Sequence, residues 1–369
     1  MSTIRSFIRR EPVLIIAALA ALLSCFFVPP DAEYGRYLDL RTLALLYCLM
    51  TVVAGLRQAG LFTHLAHMLC LKAGSVRAMG LLLVLMSFFS AMLITNDVAL
   101  LTFVPFAVVV LGMAERKREL IHIVVLQTVA ANLGSMLTPV GNPQNLYLFS
   151  HYDLSIADFF HMTFPIWALS LLLIVLCCLF LPGERLTVFI GEEPGMDRRA
   201  LALYLALFVV CLLVVLRLIG WPLMLLIVLA VLLVLDRKTL GKADFMLLLT
   251  FVAFFVFAGN LARMEAVDRL LRRLLTGREY LTALLASQVI SNVPAALLLS
   301  GFTDQARALL LGVNIGGLGT PIASLASLIS LKLYSHADEA HTGRYLLEFT
   351  LVNLLLLLLL SAAQLILVK

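Results

Sequence analysis

Residues 132–145 read NLGSMLTPVGNPQN, and residues 314–327 read NIGGLGTPIASLAS. Set one on the other without a gap, Asn132 to Tyr152 and Asn314 to Tyr334 agree at six of 21 positions. The agreements are Asn, Gly, Thr, Pro, Leu and Tyr. Shared apolarity would match Leu with Leu; it would not bring an amide and helix breakers into register. Each stretch follows a polar interruption of an apolar run, Ile94-Thr95-Asn96-Asp97 in the first half and Ile290-Ser291-Asn292-Val293 in the second. This is an internal repeat of about 140 residues.

The surroundings of these stretches decide the fold class. Of 369 residues, 62% are hydrophobic and 13% charged, where a soluble domain carries about a quarter charged. Leu354 to Leu360 is an unbroken leucine tract. Such a surface suits hydrocarbon, not water. The net charge of +5 is accordingly not a nucleic-acid signal, and no nucleic-acid partner is expected. The six cysteines, Cys25, Cys48, Cys70, Cys177, Cys178 and Cys211, sit in or beside apolar runs and form no Cys-x-x-Cys, so they read as packing side chains. Neither His-Glu-x-x-His nor Gly-x-Ser-x-Gly occurs, and no enzyme is expected.

Apolar segments fall at about 12–28, 40–56, 78–94, 98–113, 119–133, 155–181, 200–217, 219–235, 243–260, 279–291, 304–318 and 343–368. A full crossing needs about 20 residues. Several are shorter, in corresponding places, as re-entrant hairpins and discontinuous helices require. The expected fold is an all-α polytopic membrane protein with two inverted repeats, each holding a re-entrant helical hairpin and a broken transmembrane helix. Its divisions are a retained N-terminal transmembrane helix (1–37), repeat 1 (38–181), a cytoplasmic loop with connecting helices (182–239) and repeat 2 (240–369).

Sidedness follows the basic residues. Arg5, Arg9 and Arg10 put the N-terminus inside; Arg57, Lys72 and Arg77, then Arg116, Lys117 and Arg118, put both ends of the first hairpin inside. Continuing this way leaves 17 basic residues inside and 10 outside, with the C-terminus outside and the second hairpin entering from the opposite face. Arg263, Arg269, Arg272, Arg273 and Arg278 land outside, among apolar residues at helical spacing. They read as an amphipathic interfacial helix, matched by residues 59–73 in repeat 1.

In hydrocarbon a freed backbone polar group costs several kcal/mol, so broken helices persist only where a cavity, ion or substrate satisfies them. The two interruptions and the two Thr-Pro breaks give four such places. Half-helix N-termini there favour anions, and freed carbonyls favour cations. The candidate binding residues are therefore Thr95, Asn96, Asp97, Asn132, Gly134, Thr138, Pro139, Gly141, Asn142 and Asn145 in the first half. In the second they are Ser291, Asn292, Asn314, Gly316, Thr320, Pro321 and Ser324. Asp97 is the acidic residue well inside an apolar stretch, a costly placement that marks function by default. It would hold a cation or carry a proton; the alternative is a helix N-cap. Its counterpart is Val293. His122 and Gln127 face the cavity or pack, Gln288 braces the second tip, and His64 and His67, three apart, read as an interfacial face and not as a metal site.

These residues resemble the citrate-transporter-like ion transporter superfamily, which holds sodium/dicarboxylate symporters, arsenite pump membrane subunits and a class of sodium/proton antiporters. Thr95 to Leu100, Asn132 to Gly134, Thr138 to Asn145, Ser291 to Pro294 and Asn314 to Pro321 carry the resemblance, which is greatest to the YbiR-like inner-membrane transporters. It implies a homodimer in the inner membrane, with a scaffold and a mobile transport domain. In the symporters each tip reads Ser-Asn-Thr and touches sodium and substrate carboxylate. Thr95, Asn96, Ser291 and Asn292 carry that over, with sodium near Thr95, Asn96 and Asn132 and near Ser291, Asn292 and Asn314. Asp97 and Val293 depart from it, and Asn96-Asp97 is more like the arsenite pump subunits.

The resulting expectation is a secondary active transporter of a small anion, an organic carboxylate or inorganic oxyanion, coupled to protons or sodium by alternating access. Rivals are a sodium/proton antiporter, an arsenite or oxyanion exporter, and, from another class, a passive channel. No cofactor beyond a coupling Na+ or H+ is expected.

Overall fold

In the computed structural model, residues 11–71, 73–185, 195–337 and 340–367 are described. Arg5, Arg9, Arg10 and Lys72, used above for sidedness, lie outside them. In chain order the helices are α1 Pro12–Cys25, α2 Tyr34–Tyr37, α3 Leu40–Gln58, α4 Leu61–Cys70, α5 Val76–Ile94, α6 Asn96–Met113, α7 Lys117–Gly134, α8 Pro143–His151 and α9 Ile156–Leu179. They continue with α10 Arg198–Val215, α11 Trp221–Leu235, α12 Phe245–Arg263, α13 Glu265–Leu275, α14 Glu279–Ile290, α15 Asn292–Leu299, α16 Ala306–Ile315, α17 Leu325–Ser335 and α18 Thr342–Leu367. A helix satisfies its backbone within one segment, as hydrocarbon demands. Among the described residues the only β pairing is one antiparallel bridge between Ser75 and Arg185.

Eight of these helices, α3, α5, α6, α7 with its extension to Leu137, α9, α10, α12 and α18, are long and apolar enough to cross a membrane. The chain is an all-α, multi-pass membrane protein. Its leucine tract shows how: Leu356 and Leu360 are buried while Leu354, Leu355, Leu358 and Leu359 are exposed. One stripe packs inward and the rest presents apolar surface to lipid.

Helix starts are written by short polar side chains. Asp39 accepts from Thr42 N–H at 3.0 Å ahead of α3, and Asp244 accepts from Leu247 N–H at 2.9 Å ahead of α12. Each of these two helices is clasped through a glycine. A Cβ on Gly55 would stand 2.1 Å from Tyr204 Cε1, and one on Gly259 would stand 2.6 Å from Tyr37 Cγ. α10 thus lies on α3, while α1 and α2 lie on α12, where Asn260 Nδ2 donates to Ser24 Oγ and Tyr34 Oη, each at 2.9 Å.

The two amphipathic helices stand where expected, as α4 and α13. On α13, Arg269, Arg272 and Arg273 are exposed and Leu275 is buried. The expected shortness in corresponding places holds in only one hairpin. The first has arms of 19 and 18 residues, α5 and α6, while the second has 12 and 8, α14 and α15. At 1.5 Å per residue the second is shorter by roughly 10–15 Å. The cause is local. Gly277, at φ +73°, turns the chain from α13 into α14, and Ser300–Phe302 tightens into a 3₁₀ turn after α15.

Candidate functional site

The two hairpin tips have the same backbone. Thr95 stands at φ 72°, ψ 152° and Ser291 at φ 72°, ψ 156°. This region is strained for a residue with a Cβ, by on the order of 1–3 kcal/mol, and persists only where the surroundings enforce it. They do so alike in both halves. Asp97 N–H donates to Asn96 Oδ1 at 2.9 Å, and Val293 N–H to Asn292 Oδ1 at 2.9 Å. Thr138 Oγ1 donates to the Met92 carbonyl and Thr320 Oγ1 to the Gln288 carbonyl; Met92 and Gln288 each lie three residues before a tip.

The breaks correspond as well. After α7, one turn at Ser135–Leu137 leads to extended Thr138, a turn at Pro139–Gly141, extended Asn142 and the restart in α8. After α16 come extended Thr320, a turn at Pro321–Ala323, extended Ser324 and the restart in α17. The freed backbone groups find side chains. Asn145 Nδ2 donates to Ser135 O at 3.2 Å and Thr138 O at 3.4 Å, and Trp167 Nε1 donates to Gly134 O at 3.2 Å. In the second half Gln288 serves: Nε2 donates to Gly316 O at 2.7 Å and Leu318 O at 3.0 Å, and Oε1 accepts from Thr320 N–H at 3.0 Å. Gln288 therefore braces the break beside the tip. Gly134 and Gly316 allow close approach of each broken helix to its hairpin. A Cβ would stand 2.1 Å from Phe88 O at Gly134, and 2.9 Å from Ser287 Cβ at Gly316. At Gly141 it would meet Ser135 O at 2.2 Å.

The halves also touch each other reciprocally. Asn132 Nδ2 donates to Ser327 Oγ at 3.4 Å, and Asn314 Nδ2 to Asn145 Oδ1 at 2.7 Å. In the gapless alignment Asn132 pairs with Asn314 and Asn145 with Ser327, so one contact is the image of the other. Asn132 Oδ1 in addition accepts from Asn96 Nδ2 at 3.0 Å and from Ser324 Oγ at 2.9 Å.

Where the tips meet there is a narrow crevice with room for about 10 Å³, lined by Asn96, Asp97, Pro143, Gln144, Leu247, Asn292, Val293, Ser324 and Leu325. Four helices begin on it: α6, α8, α15 and α17. It meets two larger cavities at Asp97. One, of about 630 Å³, also reaches Ser291, Asp244 and Lys332; the other, of about 540 Å³, reaches Thr95, Arg57, Lys242 and Asp244.

The structure thus sorts the sequence candidates. Asn96, Asp97, Asn292 and Ser324 line the crevice, and Thr95 and Ser291 its two approaches. Asn132, Gly134, Thr138, Pro139, Gly141, Asn142, Asn145, Asn314, Gly316, Thr320 and Pro321 are not among the lining residues; they build the breaks behind it. Asp97 is not an N-cap, because α6 starts at Asn96 and Asp97 lies in its first turn. His122 Nδ1 stands 2.6 Å from Glu348 Oε1, and Gln127 Nε2 donates to Ser87 Oγ at 3.3 Å; both are away from the crevice. Among the described residues no three His, Cys, Asp or Glu gather as a metal site. The two oxygen sets for sodium differ. Asn132 Oδ1 is taken by two donors, while buried Asn314 Oδ1 has no partner, so the amide oxygen is free in the second set and engaged in the first. Gln144 and Asp244 were not singled out from sequence. Gln144 lies inside the quoted 132–145 stretch, and its place just after the restarting proline was the signal. Asp244 was hidden because it reads as an ordinary helix cap.

Comparison with known proteins agrees with this geometry. The citrate transporter family model matches residues 3–305. The inner membrane protein YbiR of Escherichia coli is 31% identical over 315 residues, 84% of each chain. An uncharacterised transporter of Methanocaldococcus jannaschii is 29% identical, covering 95% of this chain and 96% of its own. The silicon efflux transporter LSI3 of rice is 28% identical over 44% of this chain and 34% of its own.

Proposed function

Because the chain belongs to the citrate transporter family, it is a membrane transporter, and we propose that it moves a small anion by alternating access, coupled to protons or sodium through Asp97. The observation that carries this reading is the crevice on which four helices begin. Each helix start carries a partial positive charge, although the Asp97 and Val293 N–H groups are taken by Asn96 and Asn292 Oδ1 and Pro143 has none; such charge suits an organic carboxylate or an inorganic oxyanion. Asp97 lies on the same surface, so coupling ion and substrate would act on one site.

The equal tip torsions, matching breaks and reciprocal Asn132–Ser327 and Asn314–Asn145 contacts support two inverted repeats rocking about this crevice. Arg57, Lys242 and Lys332 at the mouths of the two cavities support an opening toward the cytoplasm. The inner membrane is supported by the name of YbiR, and a homodimer by the family resemblance. The silicon efflux relative favours an inorganic substrate and the outward direction. A sodium/proton antiporter is the second reading, favoured by the lack of Lys or Arg among the crevice-lining residues.

Asp97→Asn in proteoliposomes tests the coupling. If Asp97 carries the proton, gradient-driven uptake is lost while exchange between equal pools survives, since exchange needs no net proton movement. If it holds sodium, both are lost. Wild-type rates in both assays refute a coupling role for Asp97.

A further inference from the structure

We propose that Gln144 is a ligand-binding residue of the crevice, and that its ligand is a small oxyanion with a single negative charge. This rests on the transport reading above and goes beyond it in naming the residue and the charge class.

Gln144 is 1% exposed and lines the crevice beside Asn96, Asp97 and Asn292. Its Nε2 has no hydrogen-bond partner. An amide donor taken out of water and left unmatched is destabilising. The neighbouring amides are spent otherwise: Asn142 Nδ2 donates to Ser135 Oγ at 2.6 Å, and Asn145 Nδ2 serves the carbonyls of the break. Gln144 Nε2 serves none of them. It is a buried donor held ready on a binding surface, and its complement is a lone pair of a ligand oxygen.

The charge of that ligand follows from the lining. No Lys or Arg is among the crevice-lining residues. Its positive potential comes from the starts of α6, α8, α15 and α17, of 18, 9, 8 and 11 residues. Each start is equivalent to at most about half a charge, about two in all. Asp97, when ionised, cancels one of these, and the carboxyl ends of α5 and α14 at Ile94 and Ile290 only lower the remainder, which leaves at most the equivalent of one positive charge. A monoanion is neutralised there; a dicarboxylate or tricarboxylate leaves charge uncompensated in a setting of low dielectric, where it is costly. Room for about 10 Å³ is at the limit for a single water, so the ligand enters by parting the tips from Asp97, where the larger cavities join.

The test uses purified full-length protein, with nitrate, acetate and lactate as monoanion probes and succinate and citrate as polyanion probes. Thermal shift gives binding, and competition in proteoliposomes gives uptake. Wild type is expected to respond to at least one monoanion and to prefer it over succinate and citrate. Gln144→Leu keeps the bulk and removes the donor. It should weaken the monoanion response about tenfold to a hundredfold, while the ligand-free protein melts no lower than wild type, because an unmatched buried donor has been removed. Gln144→Glu should lose the nitrate response at neutral pH and regain it in acid, when the protonated carboxyl again offers a donor. Nitrate stays ionised throughout. A ligand-free Gln144→Leu protein that melts lower than wild type overturns the inference, for Gln144 is then a structural bond. So does an unchanged probe response in that variant, or a preference for citrate in wild type. Wild type that responds to no probe overturns the inference together with the anion reading on which it rests, whereas a preference for citrate overturns the inference alone.

Discussion

Asn132 and Asn314 are images of one another in the repeat, yet the structure predicts unequal costs for losing them. Asn132 is 3% exposed. Its Oδ1 accepts from Asn96 Nδ2 and Ser324 Oγ, and its Nδ2 donates to Ser327 Oγ. Asn132→Ala strands the Asn96 amide, which has no freedom to seek another acceptor because its own oxygen holds Asp97 N–H. It also strands the Ser324 hydroxyl. A buried unmatched group costs about 1–3 kcal/mol, and a void adds to that, so the variant should lose about 2–5 kcal/mol. Asn314→Ala strands Asn145 Oδ1 but also removes an Oδ1 that already lacks a partner. The same void included, its net cost should be about 0–2 kcal/mol. The two differ by about 2 kcal/mol, or roughly thirtyfold in the unfolding equilibrium. Both variants would be unfolded by titration with sodium dodecyl sulfate in mixed micelles, followed by tryptophan fluorescence. If Asn314→Ala loses as much stability as Asn132→Ala, the hydrogen-bond assignment is wrong and the halves are chemically alike.

Gly134→Ala places a methyl against the Phe88 carbonyl and should cost about 1–3 kcal/mol, whereas Gly112→Ala, which meets nothing within 4 Å, should be neutral or stabilising by up to about 1 kcal/mol; thermal melts of both compare them. Lys117→Cys and Asp304→Cys, in a background lacking the six native cysteines, should be labelled by an impermeant maleimide from opposite faces; labelling from one face defeats the inverted arrangement. Asp236 accepts from Tyr204 Oη at 2.6 Å and Thr239 Oγ1 at 2.8 Å, and these bonds hold its carboxyl below the usual carboxylate range. A depressed value contributes stability above the ordinary pKa and loses it as pH falls through the lowered one. Tyr204→Phe should therefore flatten the acid limb of a stability–pH curve by less than about 1 kcal/mol, and an unchanged limb would contradict the pairing.

The sequence made the breaks legible because Pro and Gly act locally. Thr138-Pro139 and Thr320-Pro321 each follow a glycine-containing, amide-bearing stretch, and both open 3₁₀ turns where a break was expected, whereas Pro105 and Pro165, set in apolar runs, lie inside α6 and α9. The tips were legible because a polar pair or triplet inside an apolar run, Ser291-Asn292 or Thr95-Asn96-Asp97, has to be explained. Hairpin length was partly legible. The apolar run before Thr95, at about 78–94, is longer than the one before Ser291, at about 279–291, and Gly277, whose positive φ turns the chain from α13 into α14, precedes the start of the shorter arm. Spacing could not separate the residues that line the crevice from those that build it. Asn142 and Asn145 flank Gln144 and carry the same chemistry. Only the path of the backbone decides that two of these three amides face freed carbonyls and hydroxyls while the third faces the crevice.

Matching frames with unmatched chemistry are what the proposed coupling needs. Equal torsions at Thr95 and Ser291 make two tips of one design. The side chains then assign them different tasks. The first tip carries Asp97 and is locked to Asn132, whose oxygen is saturated. The second carries Val293, and behind it Asn314 keeps an unpartnered oxygen, while Gln288 takes up the freed carbonyls that Asn145 and Trp167 serve in the first. A carboxylate on both tips would cancel the positive potential of all four helix starts and leave nothing for an anion. A carboxylate on neither would leave no titratable group within the crevice. One carboxylate leaves, on the proposed reading, a site whose hold on a single negative charge strengthens when Asp97 is neutralised. On that reading, loading of Asp97 and loading of the anion are linked by the same few ångströms of charge, with no separate device required to couple them.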